Sequence, residues 1–162
     1  SYLDLVAFVA LYPVCPGLRV IYKAELGRVP ILGRVFSMAG AIPIQRAQHE
    51  AAVEALDHGV EALRVGTSML AAPEGTRSRD GSLALFKKGL FVMAIQAGAP
   101  VVPVAIHGAR EALPRGEWRI RPGVVTVTIG DAIETSGLGY DDRALVADTV
   151  RDRLAQLLAT QR

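Results

Sequence analysis

Apolar residues follow two patterns along this chain. In some stretches they stand side by side for a few positions and stop at a glycine, proline or charge. In others they recur every three or four residues with charges between them. The first pattern fits buried strands and the second fits helices with one face on a core. Residues 18–22, 41–44, 68–72 and 101–106 are of the first kind, with Pro103 marking the last as close to an edge or a bulge. Residues 124–129 alternate valine and threonine, as in a half-buried strand. Residues 4–11 read as a helix ended by Pro13 and Pro16-Gly17. Pro30 opens a short helix as a first-turn proline and Gly40 closes it. Residues 49–64 place Val53, Leu56, Val60 and Leu63 on one helical face, with Glu50, Glu54, Asp57 and Glu61 elsewhere. An apolar helix is predicted over 86–97, stopped by Gly98 with Pro100 beyond. Asp141 or Asp142 caps a last helix with a stripe of Val146, Val150, Leu154 and Leu157. Strands separated by helices predict an α/β layered domain, and no repeat, low-complexity stretch or long linker divides it.

Composition narrows this picture. With 162 residues, 51% of them hydrophobic, and a mean hydropathy of +0.30, the chain is long and apolar enough for one domain with a sizeable core. Aromatics are 6%, so that core must be aliphatic. A net charge of +2 is too small to argue for nucleic acid. The basic residues do cluster: Arg77 and Arg79, Lys87 and Lys88, then Arg115, Arg119 and Arg121. Such a cluster serves either an anionic ligand or lipid surface, or merely a solvated rim. The single Cys15 excludes an internal disulfide, fits a reducing compartment and reads as a small core residue. No apolar run approaches the ~18–20 residues that span a bilayer. Residues 5–14 form a stretch too short for that and without the flanks of a signal peptide.

The densest chemistry follows the predicted strand 68–72. Pro73-Glu74-Gly75-Thr76-Arg77-Ser78-Arg79-Asp80-Gly81 packs two guanidiniums, two hydroxyls, two carboxylates and two glycines into nine residues. Loops that leave buried strands are where α/β proteins place ligands. Gly75 permits a close backbone approach or a positive φ, and Arg77 offers a planar fork to a phosphate or carboxylate. On composition alone the loop fits an oxyanion site or a wet turn equally.

Three further segments resolve that ambiguity: Ser1-Tyr2-Leu3-Asp4, Gly40-Ala41-Ile42-Pro43-Ile44-Gln45-Arg46 and Val101-Val102-Pro103-Val104-Ala105-Ile106. Their order around Pro73-Glu74-Gly75-Thr76-Arg77-Ser78 resembles the glycerolipid acyltransferases, specifically the 1-acylglycerol-3-phosphate acyltransferases. That family has four ordered blocks: Asn-His-x-Ser-x-x-Asp, a Gly-led strand ending in Arg, Phe-Pro-Glu-Gly-Thr-Arg-Ser, and a Val-Pro-Val strand. Lys23-Ala24-Glu25-Leu26, followed by Pro30-Ile31-Leu32-Gly33, looks like the family's linker between its first two blocks. The resemblance runs from Ser1 to Gly108, and the third block is its most specific part. Gln45 stands where the family usually has an acidic residue, and Ala72 where it has Phe. Aligning Ser1 and Asp4 to the first block puts that block's histidine two positions ahead of Ser1, which reads as a domain cut or a disordered leader rather than a natural start.

The resemblance implies a single α/β acyltransferase domain over residues 1–162, glycerol-3-phosphate acyltransferase-like, with a central mixed sheet flanked by helices. It implies transfer of a fatty acyl group from a thioester of coenzyme A or of an acyl carrier protein to the free hydroxyl of a lysophosphatidate. The alternatives are transfer to glycerol 3-phosphate or another lysophospholipid, or a non-catalytic lipid-phosphate-binding domain. In the main reading Asp4 orients the upstream histidine, which takes the hydroxyl proton. Arg77 with Gly75, Thr76 and Ser78 holds the acceptor phosphate, with Arg46 second and Lys23 a weaker third. Glu74 orients the arginines or binds glycerol hydroxyls. No metal or other cofactor is called for, because the thioester carries its own leaving group. The partners implied are a lysophosphatidate-type lipid, the acyl donor and a membrane surface, with no nucleic acid. The location implied is cytoplasmic, on the inner face of a membrane. The segment by itself is expected to be inactive. Of the histidines present, His49 and His58 read as solvated helix residues and His107 as a strand-end residue without a sequence-local carboxylate.

Overall fold

The computed structural model describes residues 11, 15, 17–38, 40–44, 49–76, 78, 82–113, 117, 119 and 121–160. Strand β1 (Arg19–Lys23) runs into a 3-10 turn (Ala24–Arg28) and helix α1 (Pro30–Met38). Strand β2 (Ile42–Ile44), helix α2 (His49–Arg64) and strand β3 (Met69–Leu70) follow. Then come helix α3 (Gly89–Ala97), strand β4 (Val104–His107) and a single helical turn, α4 (Ala109–Ala112). Strand β5 (Thr126–Ile129), a 3-10 turn (Tyr140–Asp142) and helix α5 (Arg143–Ala159) complete the order.

The first three strands are parallel in the order β2-β1-β3, with Lys23 opposite Ile44 and Val20 opposite Leu70. β4 and β5 pair antiparallel, with Val104 opposite Ile129 and His107 opposite Thr126. The molecule is therefore α/β with both kinds of strand pairing, as the sequence led one to expect. Two aliphatic clusters hold it together. Leu11 and Leu18, with Cys15, Val20, Leu70, Val104 and Val127 against them, join the parallel and antiparallel strands. Phe86, Phe91 and Ile95 pack on Val146, Ala147 and Val150, fastening α5 to α3. On the other side, Tyr22 of β1 stacks on Phe36 of α1 with ring centroids 4.1 Å apart. Cys15 is a half-buried free thiol in the first cluster, as predicted.

Among the described residues the expected element positions hold, and several boundaries move for local reasons. Pro30 does open α1, and Gly40 at φ +60° ends it while its N–H bonds to the Ser37 carbonyl. Gly98, at φ +62°, ends α3 with its N–H on the carbonyls of Ala94 and Ile95. The helix predicted over 86–97 starts only at Gly89; Lys87 lies ahead of it, with its N–H on the Pro73 carbonyl at 2.8 Å. The run 68–72 is in register with β1 only at Met69 and Leu70. Pro103 splits 101–106: Val101 bridges Ile133 by two 2.9 Å bonds, and the strand resumes at Val104. Asp142 does not cap α5 with its side chain; its carboxylate accepts the Gly139 N–H at 2.7 Å instead. On the α5 stripe Val146 and Val150 are buried and Leu154 and Leu157 half-buried. Of the helix predicted over 4–11, only Leu11 is among the described residues; it is helical and buried. No helix of the described residues is long and apolar enough to cross a membrane.

Candidate functional site

Because β1, β2 and β3 are parallel, their carboxyl ends open on one edge of the sheet. The chain steps from β1 outward to β2, then α2 carries it back across β1 to β3. The crevice between β1 and β3 is thus a topological switch point, the place where open α/β sheets bind ligands. Lys23 ends β1 at this edge, and the loop 71–78 leaves β3 at the same edge. β2 ends level with β1, at Ile44 opposite Lys23.

The loop is built by turn chemistry. The Gly75 N–H bonds the Ala72 carbonyl at 3.2 Å, closing a four-residue turn with Pro73 at its second position and Gly75 at its fourth, as such turns prefer. Gly75 has φ +71°, the positive value for which glycine was singled out from the sequence. Thr76 is exposed and Ser78 half-buried. Glu74, assigned from the sequence to the arginines or to glycerol hydroxyls, has a described partner within the protein: its Oε2 accepts the Ala84 N–H at 2.9 Å. Together with the bond from Lys87 N–H to the Pro73 carbonyl, this ties the loop to the irregular segment 82–88 ahead of α3. The periodicity gave no sign of that tie, because Phe86 falls in phase with the apolar helix that follows.

The structure brings Lys23, Glu74, Gly75, Thr76 and Ser78 to one edge. Asp4, Arg46 and Arg77 lie outside the described residues, as do Gln45, Arg79 and Arg115. Arg121, counted in the basic cluster, is paired with Glu117 by bonds of 2.8 and 3.0 Å, while Lys87, Lys88 and Arg119 are exposed. His58 is exposed, as expected, and His107 ends β4 half-buried, with Nε2 buried and unpartnered among the described residues. A shallow groove of about 410 Å³ between α2 and α3 is lined by Asp57, His58, Val60, Glu61, Arg64 and Gln96. It holds none of the predicted site residues. Its Arg64 is occupied by Glu61 at 2.8 Å and the Gln96 carbonyl at 3.1 Å, so the groove does not compete with the strand-end crevice.

This edge collects the end of β2 and the loop that leaves β3, in the order seen in the sequence, and the family model described as Acyltransferase matches residues 1–107. The chain belongs to the acyltransferase family. It is 34% identical over 158 residues to a chloroplastic 1-acyl-sn-glycerol-3-phosphate acyltransferase of Brassica napus, covering 96% of this chain and 43% of that protein. It is 37% identical over 123 residues to the 1-acyl-sn-glycerol-3-phosphate acyltransferase of Pseudomonas aeruginosa, covering 75% of this chain and 48% of the relative. The acyltransferase chain thus spans less than half the length of both. Its fold matches the crystal structure of the 1-acyl-sn-glycerophosphate acyltransferase PlsC from Thermotoga maritima with a TM-score of 0.68 and 31% identity. That match covers 88% of this chain and 58% of the other.

Proposed function

We propose that the full-length protein transfers a fatty acyl group from an acyl thioester to the free hydroxyl of a 1-acylglycerol 3-phosphate, giving phosphatidate. The observation that carries this reading is the position of the Pro73-Glu74-Gly75-Thr76-Arg77-Ser78 loop at the β1/β3 switch point, in a chain similar to enzymes named for that acceptor. The 162 residues act as one domain, with the base supplied by the first-block histidine that the resemblance places ahead of Ser1.

In this reading the acceptor phosphate lies on the loop, held by the Arg77 fork and the Thr76 and Ser78 hydroxyls, with Gly75 allowing close approach. Arg46, two residues past β2, and Lys23, at the end of β1, add positive charge at the same edge. Asp4 holds the histidine's tautomer and stabilises its imidazolium. The acceptor oxygen attacks the thioester carbonyl as its proton passes to that histidine. The carbon–sulfur bond then breaks, and the thiolate leaves and takes the proton back. The donor is acyl-coenzyme A or acyl carrier protein, and no further cofactor enters. Both lipids are amphiphiles, so the enzyme works at the cytoplasmic face of a membrane.

Arg77→Ala in the full-length protein tests the assignment. It is expected to raise the KM for lysophosphatidate by about 10-fold or more and to leave the donor KM within about 2-fold. Equal loss of both would move the loop to the other substrate. Lysophosphatidate binding without acyl transfer from either donor would make the protein a lipid-phosphate binder. Residues 1–162 alone are expected to be inactive beside a form extended upstream; full activity in the short form would overturn the assignment of the base.

A further inference from the structure

We infer that the carboxy-terminal helix α5 is part of the acceptor site, with Arg151 as a positioning residue for the loop that receives the phosphate. The inference rests on the reading of residues 73–78 given above. It concerns a helix beyond residues 1–107, which the family model matches.

The segment 82–88 lies between α5 and that loop. On one side, Arg151 Nη2 donates to the Leu83 carbonyl at 3.3 Å, across 68 positions of sequence. On the other, the next residue's N–H, that of Ala84, donates to Glu74 Oε2 at 2.9 Å, and the Lys87 N–H donates to the Pro73 carbonyl at 2.8 Å. Between these ties Phe86 is buried in the cluster that contains Val146 and Val150 of α5, and Leu83 packs against the same cluster. Pro73 and Glu74, the first two residues of the loop, are therefore bonded to a strap whose other side is bonded to Arg151. A displacement of about 1 Å in a substrate-holding group can cost two orders of magnitude in rate, so what holds the strap sets how well the loop is placed.

Arg151 is a poor choice for packing alone. Its Nε is buried with no partner among the described residues, and a buried unpaired N–H costs stability. A methionine would cover the same apolar surface as the arginine stem without that penalty. The gain visible for the guanidinium is its bond to the Leu83 carbonyl, which acts on the strap. Positioning and packing therefore predict opposite consequences for Arg151→Met.

The experiment is steady-state kinetics on the full-length protein, varying lysophosphatidate and donor separately, for Arg151→Met, Arg151→Lys and Arg77→Ala, with thermal unfolding alongside. Arg151→Met is expected to keep or raise the unfolding midpoint, to raise the acceptor KM about 5- to 20-fold and to leave the donor KM within about 2-fold. Arg151→Lys is expected to recover part of the loss, since an ammonium can still donate to the carbonyl. If Arg151→Met lowers the midpoint and weakens both substrates together, Arg151 is a packing residue and the inference falls. If Arg151→Met is kinetically silent while Arg77→Ala raises the acceptor KM, the relay is wrong and the reading of the loop stands. If Arg77→Ala leaves the acceptor KM unchanged, the loop does not hold the acceptor and both fall.

Discussion

Gly75 and Thr135 show how differently single residues declare themselves. Gly75 sits in a turn that the sequence spells out, Pro73 two positions ahead of it, and its φ of +71° follows from that spelling. Gly75→Ala is expected to cost about 1–2 kcal/mol, the strain of an L-residue in left-handed backbone, read as a lower urea midpoint at unchanged slope. Thr135 stands in Glu134-Thr135-Ser136-Gly137, four residues without an apolar side chain, yet it is 0% exposed. It sits against the end of α3, with its hydroxyl 2.8 Å from the Ala99 carbonyl and 3.2 Å from that of Ala94. Thr135→Val keeps the shape and removes the donor, so about 1–3 kcal/mol should be lost, a drop of several degrees in the unfolding midpoint by calorimetry. Nothing local marks that threonine, because its partners lie 36 and 41 positions away.

At the scale of elements, helix faces and strand positions were readable because apolar periodicity is a local record of what the core takes. How closely the elements approach was not. Gly59 of α2 and Gly33 of α1 look alike in sequence, each a weak spot inside a helix. A Cβ at Gly59 would overlap the Met93 sulfur of α3, the movable part of a flexible side chain. One at Gly33 would overlap the Gly27 carbonyl oxygen, which is backbone. Gly→Ala favours a helix by about 0.5–1 kcal/mol, and this partly offsets the clash at Gly59. Gly33→Ala is therefore expected to destabilise clearly more than Gly59→Ala in denaturant titrations. The reverse order would mean that the turn Ala24–Arg28 yields more readily than the α2–α3 contact. The strap at 82–88 belongs to the same lesson. Its apolar spacing matches a helix, yet Phe86 and Lys87 lie outside one, in a segment bonded to Pro73 and Glu74.

For the whole molecule, α5 is a wall of the core and is bonded through Arg151 to the segment that holds Pro73 and Glu74. Removing residues 143–162 uncovers Phe86, Phe91 and Ile95, at about 1.5–3 kcal/mol for each side chain returned to water. That sum is comparable to a domain's entire stability of about 5–15 kcal/mol. The truncated chain should lose its cooperative thermal transition and bind a hydrophobic dye, although residues 1–107 carry the whole family match. The sequence by itself determined the α/β class, the order of the described elements and the family. Each of these rests on neighbours in the chain: apolar spacing, turn residues and the ordered blocks. Tertiary structure alone decided that β3 lies beside β1 and opposite β2, which brings the end of β1 at Lys23 and the loop leaving β3 to one edge of the sheet. It alone placed Arg151 against Leu83 and Glu74 against Ala84. Those contacts join residues 68 and 10 positions apart through backbone groups common to all residues, so no side-chain pattern along the chain could encode them.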